Sequence, residues 1–125
     1  MTDPLVLTGK IVHGKGLGRT VGMPTANLCI HDKTVLPADG VYATRIRVGE
    51  KIFCSVTNIG RRPSVDHESR VTIETFIFDF DEDIYGENVV LEVHKFLRPV
   101  QKFQNLKKVQ EQVQKDIEAA KEYFY

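Results

Sequence analysis

The chain has 125 residues, 42% hydrophobic and 27% charged, with 17 basic and 17 acidic side chains and a formal net charge of zero. A chain of this size can build one domain with a real core, and its balanced charge excludes a general electrostatic pull toward nucleic acid or an anionic membrane. No apolar run reaches bilayer-spanning length and no signal peptide is visible, so a cytoplasmic location is expected.

Segments 5–13, 41–48, 51–59, 71–80 and 88–97 are rich in Val, Ile, Phe, Tyr and Thr and read as strands. After the first comes a glycine-rich run, Gly14-Lys15-Gly16-Leu17-Gly18-Arg19-Thr20-Val21-Gly22, and then the extended tetrapeptide Pro24-Thr25-Ala26-Asn27. Pro37-Ala38-Asp39-Gly40 is a turn. In 41–48, Tyr42, Thr44, Ile46 and Val48 share one face and Arg45 and Arg47 the other. The two-residue turn Gly49-Glu50 then makes 41–48 and 51–59 a hairpin.

Asn58 and the following Ile59-Gly60-Arg61-Arg62-Pro63 read as a loop, expected to act as a flap. Asp81-Glu82-Asp83 with Gly86 separates the last two strands. Near the end the period changes: Leu106, Val109, Val113, Ile117, Ala120 and Phe124 recur at spacings of three and four, the stripe of an amphipathic helix with Asn105 as its N-cap. Many short strands and a terminal helix imply a closed or nearly closed antiparallel barrel, barrel about 5–100 and helix about 105–124, in a single domain over 1–125.

Cys29 and Cys54 lie in apolar sequence without metal-like spacing and read as reduced core thiols. His13, His31, His67 and His94 are too scattered to suggest zinc.

The glycine run carries the first chemical signal. Glycines let the backbone approach phosphate oxygens and turn N–H groups toward them. No Gly-Lys-Ser/Thr follows, so this is not a Walker loop. Thr25 and Asn27, two residues apart in an extended segment, point to the same side and offer two neutral oxygens of the kind a hard cation shares with phosphates. The segment reads as a nucleotide–metal clamp, and phosphoryl transfer is the leading reading. Such chemistry needs a proton acceptor for the attacking hydroxyl. Glu74 is the candidate: it lies in an apolar strand on the face shared by Thr72, Phe76 and Phe78, where partial desolvation makes a better base. The strand pattern alone equally fits a cross-strand salt bridge or a solvent-facing glutamate.

These motifs carry a family resemblance. Gly9-Lys10-Ile11-Val12-His13-Gly14, Gly18-Arg19 and Gly22-Met23-Pro24-Thr25-Ala26-Asn27-Leu28 resemble the start of riboflavin kinases. The likeness continues through Leu36-Pro37-Ala38-Asp39-Gly40-Val41-Tyr42, Thr57-Asn58-Ile59-Gly60-Arg61-Arg62-Pro63 and Glu74-Thr75. It ends with Ile84-Tyr85-Gly86, Phe96-Leu97-Arg98-Pro99 and Phe103. The ordered set is specific where any one piece is weak. The resemblance implies a six-stranded Greek-key barrel and transfer of the γ-phosphoryl group of ATP to the 5′-hydroxyl of riboflavin, giving FMN.

It further implies ATP contacts at Gly14, Gly16, Gly18, Arg19, Thr25, Ile77, Asp79 and Tyr85, and Mg²⁺ or another divalent ion on Thr25 and Asn27. It assigns catalysis to Glu74 and flavin contacts to Arg98, Gln101 and Phe103. Relatives often have histidine where this chain has Phe76, and a basic residue where it has Gln101. In many bacteria this kinase is linked to an adenylyltransferase domain. The implied partners are thus riboflavin and ATP, with neither nucleic acid nor membrane; the opening Asp3-Pro4-Leu5-Val6-Leu7-Thr8-Gly9 fits equally the junction to such a linked domain and the start of a natural single-domain enzyme. A non-catalytic flavin-binding regulatory module on the same barrel is the alternative, although binding alone would not require Thr25, Asn27 and Glu74 together. A barrel for single-stranded nucleic acid is disfavoured by the absence of a basic-aromatic stripe.

Overall fold

The computed structural model describes residues 4–12, 25–30, 36–63, 69–80 and 82–125, with the side chains at 62, 63, 69 and 70 left aside. Six strands, β1 (Leu5–Val12), β2 (Ala26–Ile30), β3 (Gly40–Val48), β4 (Lys51–Pro63), β5 (Ser69–Ile77) and β6 (Asn88–Arg98), form a closed antiparallel barrel. A helix, α1 (Leu106–Phe124), packs against β3, β4 and β6. The order around the barrel is β1-β2-β5-β4-β3-β6. Strands β3, β4 and β5 are consecutive and β6 returns beside β3, which is a Greek key.

Alternation of side chains sorts the residues into two layers. Leu7, Ile11, Leu28, Ile46, Ile59 and Leu91 belong to the inner core. Val41, Ala43, Val56 and Phe78 form an outer cluster with Ile117 and Ala120 of α1. The start of β3 is therefore buried on both faces, with Val41, Tyr42, Ala43 and Thr44 all inaccessible. Beyond the outer cluster, Arg45 reaches over the Phe124 ring, 4.8 Å from its centroid.

The inner face of β3, β4 and β5 also holds a string of hydroxyls. Thr44 Oγ1 lies 2.7 Å from Ser55 Oγ and 2.8 Å from Thr57 Oγ1, and Thr57 Oγ1 lies 2.9 Å from Thr75 Oγ1. Mutual bonding offsets the cost of hiding these groups from water. Tyr42 donates its hydroxyl proton to the Ala38 carbonyl at 2.6 Å. Burial pushes the Tyr42 phenol above its ordinary range; the Arg61 charge lowers it in part, and Asp39 raises it.

The helix begins as expected. Asn105 accepts a bond from the Lys108 N–H through Oδ1 at 3.0 Å, and its own backbone is extended. Ile117 and Ala120 are buried and Val109, Val113 and Phe124 partly so, but Leu106 at the head of the stripe is 52% exposed.

Several sequence expectations change. Segment 26–30, which the residue pattern left as an extended connection, is the sixth strand. Residues 58–63 are not a flap: β4 runs through Pro63 and pairs with β5 as far as Pro63 opposite Ser69. Arg61 is pinned there. Its backbone N–H donates to Asp39 Oδ2 at 3.1 Å, its guanidinium pairs with Asp39, and it donates to the Pro37 carbonyl at 2.9 Å. Strand β5 ends at Ile77 rather than residue 80, because Asp79 takes a left-handed turn conformation with φ 55°. Cys29 is not a core thiol: Leu28 and Ile30 turn toward the core, which leaves Cys29 exposed on the outer face, and Cys54 is only half-buried.

Candidate active site

Register places the chemical residues. Paired residues on neighbouring antiparallel strands share a face. Asn27 of β2 pairs with Glu74 of β5, and Glu74 pairs on its other side with Asn58 of β4. Asn58 pairs with Val41 of β3, and Val41 with Arg98 of β6. One continuous row thus crosses five strands on the outer wall. Glu74 lies on this outer face because its neighbours Ile73 and Thr75 are buried inward.

A cavity of about 340 Å³ lies over this row, between the wall and the first half of α1. That volume suits a small-molecule ligand. One end is lined by Thr25, Glu74 and Asn58, and the floor includes Val41, Val56 and Phe76. The other end is lined by Arg98, Phe103, Val109, Val113 and Asp116, with exposed Gln101 at the rim. Glu74 and Arg98 stand three strand spacings apart, about 14 Å along the sheet. The cavity is long, acidic at one end, and apolar with a planar cation at the other.

That cation is held firmly. Arg98 Nε donates to Asp116 Oδ1 at 2.8 Å and Nη2 donates to Oδ2 at 2.9 Å, a two-pronged pair. Gln112 Nε2 adds a bond to Asp116 Oδ1 at 3.1 Å. The Phe103 ring faces the guanidinium, 5.7 Å from Cζ to the ring centroid. Gly40 sets the approach of β3 to this corner: a Cβ there would press into the Phe96 ring and lie 3.1 Å from the Arg98 carbonyl oxygen.

The comparisons with known proteins bear on this arrangement. The family model described as flavokinase, riboflavin kinase, matches residues 1–124. The chain belongs to the riboflavin kinase family. A bifunctional riboflavin kinase/FMN adenylyltransferase from Bacillus subtilis is 36% identical over 125 residues, 98% of this chain and 39% of the relative. The chain thus spans about two fifths of that relative's length. Among solved structures, riboflavin kinase from Trypanosoma brucei matches with a TM-score of 0.67 and 23% identity, over 98% of this chain and 80% of that one, a likeness of fold. A protein from Streptococcus pneumoniae described as a macrolide-efflux protein matches with a TM-score of 0.91 and 36% identity, over 94% of this chain and 38% of that one. The efflux description belongs to that protein. The described helix of the present chain is not long and apolar enough to cross a membrane.

Against the riboflavin kinase pattern, the structure gathers Thr25, Glu74, Arg98, Gln101 and Phe103 at one cavity and sets Asn27 beside Glu74. It does not bring Ile77, Asp79 or Tyr85 to this cavity. The Ile77 side chain is buried in the inner core, whereas Asp79 and Tyr85 are exposed, Tyr85 donating its backbone N–H to Asp83 Oδ1 at 3.0 Å. Gly14, Gly16, Gly18 and Arg19 lie outside the described residues. Sequence reasoning missed Asp116. Its signal was present: an acid three residues after Val113 and four before Ala120 stands on the apolar stripe, where a charge needs a partner.

Among the described residues no cluster of three or more His, Cys, Asp or Glu side chains could hold a metal. The oxygens at the Glu74 end are instead Thr25, Asn27 and Glu74 itself, all half-buried, with Asn27 paired in register with Glu74 and Thr25 lining the same cavity as Glu74. That donor set fits a hard divalent cation that completes its shell with phosphate and water.

Proposed function

We propose that this chain phosphorylates riboflavin at the expense of ATP, forming FMN and ADP, and that it is the kinase portion of a longer flavin-making protein. The observation that carries the reading is the placement of Glu74 between Asn27 and Asn58, at one end of a cavity whose far end is Arg98 and Phe103. Riboflavin is a flat tricyclic ring with a five-carbon polyol tail. Its ring fits against the Phe103 and Arg98 end of the cavity, an aromatic face and a planar cation that both favour a flat heterocycle. Its tail then runs along the row past Asn58 and delivers the terminal hydroxyl to Glu74.

Glu74 accepts the hydroxyl proton as the oxygen attacks the γ-phosphorus; the new O–P bond forms while the bond to the β-phosphate oxygen breaks, and ADP leaves with that electron pair. Thr25 and Asn27 would hold Mg²⁺, whose charge offsets that of the phosphate oxygens when it is bound. Gly14, Gly16, Gly18 and Arg19 are assigned the phosphates. Asp79 and Tyr85, with the Ile77 backbone, are assigned the rest of the nucleotide. Most of the rate enhancement comes from alignment and electrostatics.

The test is incubation with riboflavin, ATP and MgCl₂, followed by chromatography of the flavins. FMN should appear with stoichiometric ADP and without FAD. Riboflavin bound without turnover would replace this reading with the non-catalytic flavin-binding module, and FAD formed by this chain alone would contradict the assignment to the kinase portion.

A further inference from the structure

Asp116 is the buried charged residue among the described ones, 4% exposed. Both of its oxygens are committed. Oδ1 accepts from Arg98 Nε and Gln112 Nε2, and Oδ2 accepts from Arg98 Nη2. Arg98 in turn spends an Nη1 proton on the Pro99 carbonyl at 3.1 Å. The guanidinium is thereby fixed in plane at both edges, by the helix on one side and by its own chain on the other. Its open face looks onto the Phe103 ring. Pairing also cancels most of its charge within the cavity, where a lone guanidinium would attract anions.

We propose that Asp116 is a positioning residue for substrate selection. It holds Arg98 flat and charge-neutralised beside Phe103, so that this end of the cavity takes a planar, uncharged heteroaromatic ring in preference to a phosphate. The inference rests on the riboflavin kinase reading and adds to it a residue that touches the substrate only through Arg98. It explains why a charged pair lies against an otherwise apolar wall formed by Val41, Val109 and Val113. A pair of hydrophobic residues would pack there at least as stably, but would neither hydrogen-bond the edge of a flavin nor keep the opening planar.

The experiment measures steady-state constants for riboflavin and Mg-ATP, and inhibition by FMN, in the wild type, Asp116→Asn and the double variant Arg98→Met/Asp116→Leu. In Asp116→Asn the riboflavin KM should rise about tenfold, with kcat and the Mg-ATP KM changed less than about threefold. The freed Arg98 charge should also strengthen FMN inhibition relative to riboflavin binding, a change that a purely structural residue would not cause. The double variant keeps the site filled without buried charge, so it should melt near the wild type and still show the raised riboflavin KM. The inference is overturned if Asp116→Asn lowers kcat with the riboflavin KM unmoved, if FMN inhibition weakens by more than riboflavin binding does, or if the double variant retains the wild-type riboflavin KM. A wild-type chain that neither binds nor phosphorylates riboflavin fails at an earlier point: it removes the kinase reading, and this inference with it.

Discussion

At the Glu74 end of the cavity the chemical side chains stand on neighbouring strands, β2, β5 and β4, whose hydrogen-bonded register lines up Asn27, Glu74 and Asn58. At the Arg98 end they stand on the last residue of β6, a connecting segment and α1, joined by side-chain bonds rather than by a ladder. The first end is rigid because any slip would turn every side chain of a strand to the other face. The second depends on one ion pair and on the seat of the helix. In the proposed reaction the transferring phosphoryl group would need tight positional control, which the sheet end can supply. The flat ring would need a plate and a cation, for which a docked helix is sufficient.

This contrast can be broken most decisively at the sheet end. Glu74→Ala should lower kcat for FMN formation by at least about a hundredfold, with riboflavin binding, followed by flavin fluorescence, and the melting temperature close to the wild type. Turnover near the wild-type rate would remove the base from the mechanism. A smaller effect is expected at the oxygens beside it. Thr25→Ala and Asn27→Ala should each raise the Mg-ATP KM by about tenfold while leaving riboflavin affinity nearly unchanged. Metal titrations identical to the wild type in both variants would cancel the clamp.

At the helix end the effects should be graded. Phe103→Ala removes one wall of the ring site and should raise the riboflavin dissociation constant several-fold with little change in kcat. Equal losses in kcat and in affinity would mean that the two ends are not separable.

The smallest effect concerns the wall on which both ends stand. The Tyr42 phenol is raised above 10.0 in the fold, chiefly by burial. Its stabilisation is therefore fully present below the unfolded value and is lost as pH rises through the folded one. Tyr42→Phe should cost about 1 kcal/mol near neutrality, the worth of the bond to Ala38, and should flatten the loss of stability above pH 10 seen in urea denaturation. An unchanged alkaline slope would reassign that loss to other groups.

The sequence made the sheet end far more legible than the helix end. Alternation in 41–48 put Tyr42, Thr44 and Ile46 on one face, which the fold turns inward, and the same logic put Glu74 on a face with Phe76 and Phe78, whose rings lie 6.0 Å apart. What pattern reading could not supply was the partner of each strand. Segment 26–30 is only five residues long and carries Asn27 and Cys29 outward, so it lacks the density of a strand signal. Residues 58–63, with a glycine, two arginines and a proline, have loop chemistry. They are strand because β5 pairs with them and Asp39 holds Arg61. Asp116 escaped because its partner Arg98 is 18 residues away, a distance that no local rule spans. The hydroxyl string of Ser55, Thr44, Thr57 and Thr75 likewise joins three strands and shows in none of them singly.

The most direct measurement is a crystal structure of the chain with FMN, ADP and Mg²⁺ bound. The account predicts the isoalloxazine ring against Phe103 and the Arg98–Asp116 pair, with the phosphorylated end of the tail within hydrogen-bonding reach of Glu74 and facing Thr25. A flavin ring seated at Glu74, or FMN bound outside the cavity beneath α1, would contradict it.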